Sequence, residues 1–167
     1  MSKAPPLRYF LPMSLELILV FALQAPPSAS DLQSAIDREH IPVRVSSSAN
    51  LLKDVGFLSA DYASLKSGFY LAHSTYAELL SDYPEAALPD SSVQAVLSFG
   101  YGGNFLECAS VFSTASVLVS NFGAKAFDTE SVTYLSAHEL TSNAESCFEE
   151  WKKSQGASRA LSPEQKK

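Results

Sequence analysis

Two cysteines are the residues whose chemistry is most readily assigned from the sequence. Cys108 and Cys147 each fall on the apolar face of a segment with helical periodicity. In an oxidising compartment this placement predicts a disulfide between two packed helices. Closing a loop of about 40 residues would then add roughly 4 kcal/mol in the chain-entropy model. In a reducing compartment the same residues would be two buried free thiols, so the two interpretations depend on where the protein resides.

The other reactive side chains form no recognisable catalytic or metal-binding motif. The sequence contains three histidines: His40, His73 and His138. The pair His138-Glu139 lacks the second histidine that a zinc-protease helix carries four residues later. Ser67-Gly68 matches only the second half of a nucleophile elbow. Asp128 and Glu130 are better explained by helix capping than by acid–base chemistry. We therefore predict no catalytic residue, no metal and no cofactor, and we expect that the protein is not an enzyme.

The first thirty residues have the pattern of a secretory signal peptide. Lys3 and Arg8 are basic, residues 11–23 are largely apolar, and Ser28-Ala29-Ser30 supplies small residues before a cleavage point at Asp31. The apolar stretch has about 13 residues, fewer than the roughly 20 that a spanning helix needs. The pattern therefore favours secretion over an uncleaved membrane anchor, with no membrane association after cleavage.

Composition restricts the class of partner. The chain has 12 basic and 18 acidic residues, a formal net charge of −6. An acidic chain without a basic patch argues against binding to nucleic acid or to anionic lipid. Its charge would suit a basic protein partner through electrostatic steering, although acidity also serves solubility. The length is enough for one domain with a single core.

Helical periodicity dominates the remainder of the chain. The three segments with a clear period are residues 61–83, 108–122 and 128–151. Pro84 would end the first segment, and Gly123 lies where the second would end. Asp128 would cap the start of the third, because its side-chain oxygen can accept from unpaired backbone N–H groups.

The other segments complete the expected architecture. Residues 31–58 have the pattern of a short helix, a turn and another short helix, and residues 154–167 form a polar tail. No strand pattern competes with the helical ones. Long amphipathic helices with short connections favour antiparallel neighbours. We therefore predict an all-α fold, an up-down-up-down four-helix bundle with an N-terminal helical extension.

The segment around the two cysteines carries a family resemblance. A cysteine opens one helix, and the linker Ala124-Lys125-Ala126-Phe127-Asp128 follows that helix. Leu135-Ser136-Ala137 begins the next helix, and Cys147-Phe148-Glu149-Glu150-Trp151 ends the match. This arrangement resembles the plant invertase and pectin methylesterase inhibitor family. The chain lacks the two N-terminal cysteines and most of the last helix of that family, so the resemblance implies a divergent or truncated four-helix bundle over residues 31–153.

The resemblance also implies a function. The protein would be secreted to the apoplast or cell wall, where it would cover the substrate cleft of a carbohydrate-active enzyme without bond chemistry. The weak preference is for pectin methylesterase over acid invertase as the target. The alternative is a non-inhibitory secreted helical interaction protein derived from the same family. If the last helix were missing, exposed apolar faces would favour a homodimer or another partner.

Three linker residues are the candidate partner-binding group. Invertase-directed members carry a Pro-Lys-Phe element between the cysteine-bearing helices, and Lys125 and Phe127 lie at the similar place here, next to Asp128. A cation beside an aromatic ring could meet a site lined by carboxylates. Phe127 could equally pack the linker onto the core, and we favour that structural role because aromatic residues that anchor loops are commoner than hot spots.

Overall fold

The dominant feature of the protein is a sheet. The computed structural model of the chain describes residues 15–89 and 92–160. Within them, seven antiparallel strands form one sheet in the order β2-β3-β4-β5-β1-β6-β7. The strands are β1 (Leu15–Phe21), β2 (Val43–Val45), β3 (Gly56–Tyr62), β4 (Leu65–Ser74), β5 (Ala95–Tyr101), β6 (Lys125–Asp128) and β7 (Thr133–Leu135). The helices are α1 (Ala29–Arg38), α2 (Tyr76–Asp82), α3 (Phe105–Phe122) and α4 (Ala137–Ala160). The fold is therefore α/β, and the prediction of an all-α four-helix bundle is wrong.

The connections explain the strand order. Strands β2 to β5 are consecutive neighbours, and β1 lies between β5 and β6. Both β5 and β6 are antiparallel to β1, so they are parallel to each other, and α3 connects them across one face of the sheet. Helix α1 carries the chain from the central strand β1 to the edge strand β2. One end of the sheet is consequently formed by β2, with α1 beside it.

The two faces of the sheet are covered differently. Helices α1, α3 and α4 pack on the first face and form the main core with it. On the second face, α2 and a short 3-10 turn (Pro84–Ala86) cover the part formed by β1, β5 and β6. The largest fully buried side chains include Phe21, Phe69, Phe99, Phe127, Leu19 and Leu97. The part of the second face formed by β2, β3 and β4 carries several exposed side chains.

Strand β1 explains the apolar run that the sequence analysis assigned to a signal peptide. Leu17 and Leu19 face the main core, whereas Ile18 and Val20 face the smaller cluster under α2. A strand that is buried on both faces needs a nearly continuous apolar run, which resembles the core of a signal peptide. The predicted cleavage point before Asp31 lies inside α1. A chain cleaved there would lack β1; the signal peptide itself stays a prediction.

The helix predicted over residues 61–83 is also wrong. This segment contains the end of β3, a two-residue turn, β4 and the short helix α2. The turn residues Ala63 and Ser64 have φ of 48° and 65°, without the Asn-Gly or Asp-Gly sequence typical of such hairpins. Phe69 and Leu71 alternate along β4 into the main core. The turn was not recognised in the sequence, and the apolar residues on both sides of it recur at spacings that resemble those of a helix.

The later helices agree better with their sequence patterns. Helix α3 ends at Gly123, whose φ of 65° gives the left-handed C-cap expected from the sequence. Helix α4 begins later than predicted, because Asp128 ends β6 and does not cap it. Ser136 and Glu139 instead form reciprocal hydrogen bonds at the start of α4. Of the two short helices expected in residues 31–58, only the first forms, as α1.

Helix α3 lies at the centre of the helical layer. Among the described residues it is the one helix that is long and apolar enough to cross a membrane. In the protein, 67% of this 18-residue helix is buried. It carries buried serines whose hydroxyl groups have hydrogen-bond partners within the core. Ser110 Oγ donates to the Leu106 carbonyl at 2.9 Å and lies 2.8 Å from Ser67 Oγ on β4. These hydroxyl contacts fix α3 against the sheet.

The polar tail predicted from residue 154 is helical at its start. Residues 154–160 continue α4, the side chains of residues 154–159 are exposed, and residues 161–167 lie outside the described residues.

Candidate functional site

The predicted disulfide is present. Cys108 in the first turn of α3 is bonded to Cys147 in α4, with 5.9 Å between the Cα atoms and a sequence separation of 39. Cys108 is buried and Cys147 is half-buried in the main core. The prediction of a staple between two packed helices is confirmed, and the role that this placement supports is structural.

The three candidate partner-binding residues all lie in β6 but do not share a surface. Lys125 is exposed, whereas Phe127 is fully buried, with its ring centroid 5.2 Å from that of Tyr134. Asp128 accepts hydrogen bonds from the backbone N–H and the hydroxyl of Ser131, which closes the turn after β6. The rings of Tyr83 and Tyr134 contact the Phe127 ring, so Phe127 is not available to a partner at the surface. Packing of the linker is therefore the role that the structure supports for Phe127.

The histidines belong to separate parts of the molecule. His40 follows α1 with a φ of 56°, and His138 lies in the first turn of α4. His73 is exposed on β4, where its Nε2 lies 2.9 Å from the Asp54 carbonyl oxygen. Within residues 15–89 and 92–160, no group of three His, Cys, Asp or Glu side chains could hold a metal ion.

A polar groove runs beside the edge strand β2. It has a volume of about 530 Å³ and is bounded by α1 on one side and by β2 and β3 on the other. Five serines line it: Ser30, Ser34, Ser46, Ser47 and Ser59. Its charged residues are Asp37 on α1, Arg44 on β2 and Asp61 on β3. The same three charged residues line an adjoining groove of about 360 Å³ that continues past the end of β2.

A single side chain crosses from α1 to the free edge of β2. Gln33 Oε1 accepts from the backbone N–H of Val45 at 2.9 Å, and Gln33 Nε2 donates to the Val43 carbonyl at 3.2 Å. The same Nε2 also donates to Asp37 Oδ1 at 2.8 Å. The carboxamide therefore satisfies two outward-facing backbone groups of an edge strand, which would otherwise be open to pairing with another chain.

A row of charged side chains crosses the sheet next to this groove. Arg44 on β2 and Asp61 on β3 are cross-strand partners, and Asp61 is also the partner of Lys66 on β4. Opposite charges at facing positions of a sheet stabilise the pairing by roughly 0.2–1 kcal/mol. This row lies at the exposed end of the second face, so the groove opens onto a charged surface.

Two aromatic residues mark the centre of the exposed part of the second face. Phe57 on β3 and Tyr70 on β4 are cross-strand partners with ring centroids 5.2 Å apart in an edge-to-face arrangement. Phe57 is 51% exposed and Tyr70 is 42% exposed. The Phe57 ring also covers Gly68, where a Cβ atom would collide with it. The aromatic pair is therefore an exposed apolar contact on the part of the second face that α2 leaves uncovered.

The residues whose pKa values are shifted lie outside the groove, and the causes of these shifts are structural. Burial raises the pKa of Tyr134 to about 12 and raises the pKa of Tyr101 further. Burial also raises the pKa of Tyr62, although its hydrogen bond with Ser113 opposes the shift. The backbone hydrogen bond at the start of α4 lowers the pKa of Glu139. These shifts accompany packing and helix capping, so they identify no acid–base pair.

The groove was not predicted from the sequence. Residues 31–58 were predicted to begin with a short helix, and Gln33 lies in it, but a single glutamine in a helix gives no signal of its contact with a strand. β2 itself has three residues, too few for a recognisable alternation. Comparison of the chain with protein-family models, with curated proteins and with solved structures finds no match.

Proposed function

We propose that the protein is a non-catalytic interaction protein that binds a segment of another protein in the groove between α1 and β2. The observation that carries the proposal is the nature of the groove lining. It combines hydroxyl, carboxamide and charged groups with the edge of a sheet, and neither a histidine nor a cysteine is among its described lining residues. Such a lining offers many hydrogen bonds and no nucleophile–base pair.

The chemistry of the groove favours a protein over a small molecule. Small-molecule sites are mostly apolar and enclosed, with a few polar groups that fix orientation. This groove is open, and nine of its twelve lining residues carry polar or charged side chains. An edge strand can bind an extended peptide through main-chain hydrogen bonds. The net charge of −6 would steer a basic partner toward the protein. A basic polypeptide is therefore the partner class that we propose.

Inhibition of a pectin methylesterase or of an acid invertase stays a prediction from the sequence resemblance. The resemblance implied a four-helix bundle, which the structure replaces with a sheet, and the buried Phe127 cannot act as an exposed anchor. Our proposal does not depend on either target enzyme. Secretion to the apoplast likewise stays a prediction.

Peptide selection followed by blocking of the groove tests the proposal. Random twelve-residue peptides displayed on phage are selected against the full chain, and an enriched sequence is synthesised. Ser34→Trp places a large side chain in the groove, and Ser154→Trp places the same side chain on the exposed end of α4. We expect Ser34→Trp to weaken binding at least about tenfold, a loss of about 1.4 kcal/mol, and Ser154→Trp to leave it unchanged. Equal binding to both variants, or no enriched peptide, would contradict the proposal.

Enzyme assays address the alternatives. The protein is titrated into pectin methylesterase and acid invertase reactions, and separately incubated alone with ester and glycoside substrates. Stoichiometric loss of activity in one titration would support the inhibitor prediction. Hydrolysis by the protein alone, lost in a groove variant, would overturn the non-catalytic assignment.

A further inference from the structure

We infer that the Gln33 carboxamide holds the place of the main-chain N–H and C=O of one strand residue, and that a basic peptide binds by displacing it and adding to β2 as an extended strand. The inference rests on the proposed function and names its partner chemistry. The displaced carboxamide would release Asp37, which would then bind a lysine or arginine of the peptide.

The first argument is the chemical identity of the two groups. A primary carboxamide has one carbonyl acceptor and N–H donors, and the main chain of one residue likewise has one C=O acceptor and one N–H donor. Gln33 directs its acceptor to the Val45 N–H and its donor to the Val43 carbonyl, at 2.9 Å and 3.2 Å. In a parallel ladder, one residue of a neighbouring strand makes this same pair of bonds to positions on either side of the residue it faces. Gln33 therefore mimics a strand residue opposite Arg44.

The second argument is that displacement conserves hydrogen bonds. Gln33 makes three hydrogen bonds, two with β2 and one with Asp37. A peptide backbone would replace the two with β2, and a charged side chain would replace the one with Asp37. Gln33 is a neutral donor to the Asp37 carboxylate, whereas a lysine or arginine would be a charged donor and would add an attraction between opposite charges. The exchange therefore leaves no buried group unpaired, while the released glutamine returns to solvent.

The third argument is the position of the groove relative to the edge. Successive side chains of an extended strand point to opposite sides. A strand added to β2 would direct one set of side chains toward Ser30 and Ser34 on α1. It would direct the other set toward Ser59 and Asp61 on β3, and all four residues line the groove. The groove thus offers polar contacts to both sets, together with the Asp37 carboxylate on the α1 side. Asp61 on the other side already faces Arg44 and Lys66.

The test compares backbone-modified and charge-modified versions of one selected peptide. The probe is the peptide enriched from the twelve-residue library, and its analogues carry N-methyl groups at successive backbone positions or glutamine in place of each basic residue. We expect at least one N-methyl analogue to bind about tenfold more weakly, because it loses a main-chain hydrogen bond and gains a clash. We expect the glutamine analogue to lose affinity for the wild type and to lose little for Asp37→Asn.

Removal of the Gln33 side chain, which competes with the peptide for β2, should strengthen peptide binding. Gln33→Ala removes the group that the peptide must displace, so its dissociation constant should fall about threefold to tenfold. Gln155→Ala, on the exposed part of α4, is the matched control and should leave binding unchanged. Gln33→Glu keeps the side-chain size but cannot donate to the Val43 carbonyl, so it provides a second measurement if the alanine variant is poorly folded.

Each failure has a distinct meaning. Binding that is blocked by Ser34→Trp but is insensitive to N-methylation and to Gln33→Ala would overturn strand addition and leave the proposed function intact. The absence of any selected peptide would overturn both. Dimerisation of Gln33→Ala without peptide, measured by light scattering, would show that a second copy occupies the edge and would also overturn the inference.

Discussion

Cys108 in the first turn of α3 is covalently joined to Cys147, which lies near the middle of α4. The bond joins positions with a sequence separation of 39 and closes a loop that includes β6 and β7. Replacement of both cysteines by alanine should therefore lower the free energy of unfolding, by up to about 4 kcal/mol in the chain-entropy model. Urea unfolding of the wild type and of the double variant measures the difference.

The reduced wild type provides the control for this substitution. Treatment with a thiol reductant should shift the unfolding midpoint of the wild type toward that of the double variant and should leave the variant unaffected. A midpoint of the wild type that does not respond to complete reduction would contradict a stabilising role for the bond. The secondary structure of both proteins, followed by circular dichroism, identifies any loss of α4.

Leu19 and Leu23 test whether the apolar N-terminal run belongs to the folded core. Leu19 is fully buried in β1, whereas Leu23 is 80% exposed just after it. Leu19→Ala should lower the free energy of unfolding by about 2–5 kcal/mol, because it leaves a cavity in the middle of the sheet. Leu23→Ala should change it by less than about 0.5 kcal/mol. Equal stability of the two variants would show that β1 is not part of the folded protein.

The difference between α3 and β1 shows what the sequence could predict. α3 was found correctly because its apolar period is long and Gly123 marks its end. β1 was assigned to a signal peptide because a strand buried on both faces has no alternation to distinguish it from a cleaved apolar segment. The pairing that makes residues 15–21 a strand involves β5 and β6, which are far away in the sequence. Local patterns contain no information on such contacts.

The β3-β4 hairpin shows a second limit. Its turn is formed by Ala63 and Ser64 in left-handed conformations, which the cross-strand pairing of Tyr62 with Leu65 imposes. Alanine and serine carry no turn signal at these positions, so tertiary pairing outweighs local preference. The disulfide was predictable because both cysteines lie in apolar positions of recognisable helices. The groove was not predictable, because it depends on the position of the three-residue strand β2 beside α1.

Gly68 should be one of the least replaceable residues of the sheet. Its φ is 153°, and a Cβ atom would collide with the Leu58 carbonyl oxygen and with the Phe57 ring. Gly68→Ala should therefore lower the free energy of unfolding by at least about 1–3 kcal/mol. Gly156→Ala is the matched control, because this glycine is helical with nothing within 4 Å of the added Cβ position. The control substitution should stabilise α4 by up to about 1 kcal/mol.

Chemical denaturation of both glycine variants measures the expected loss of stability for Gly68→Ala and the expected gain for Gly156→Ala. Phe57→Ala in the Gly68→Ala background separates the two collisions. If the ring contact dominates, the second substitution should recover part of the lost stability. A Gly68→Ala variant as stable as the wild type would contradict the close approach of the Phe57 ring to the β4 backbone.

Tyr134 should make the stability of the protein fall at alkaline pH. Its hydroxyl donates to the Ala86 carbonyl at 2.6 Å, and burial raises its pKa from 10.0 to about 12. Because the folded state holds this proton more tightly than the unfolded state, its contribution is complete below about pH 10 and is lost as the pH rises toward 12. Tyr134→Phe should cost about 1 kcal/mol at pH 7, since the buried acceptor loses its donor. Urea unfolding at several pH values should show the difference between wild type and variant narrowing above pH 10, whereas a constant difference up to pH 11.5 would contradict the coupling. Tyr101, whose pKa is also raised, is present in both proteins, so its own loss of stability at high pH cancels in the comparison.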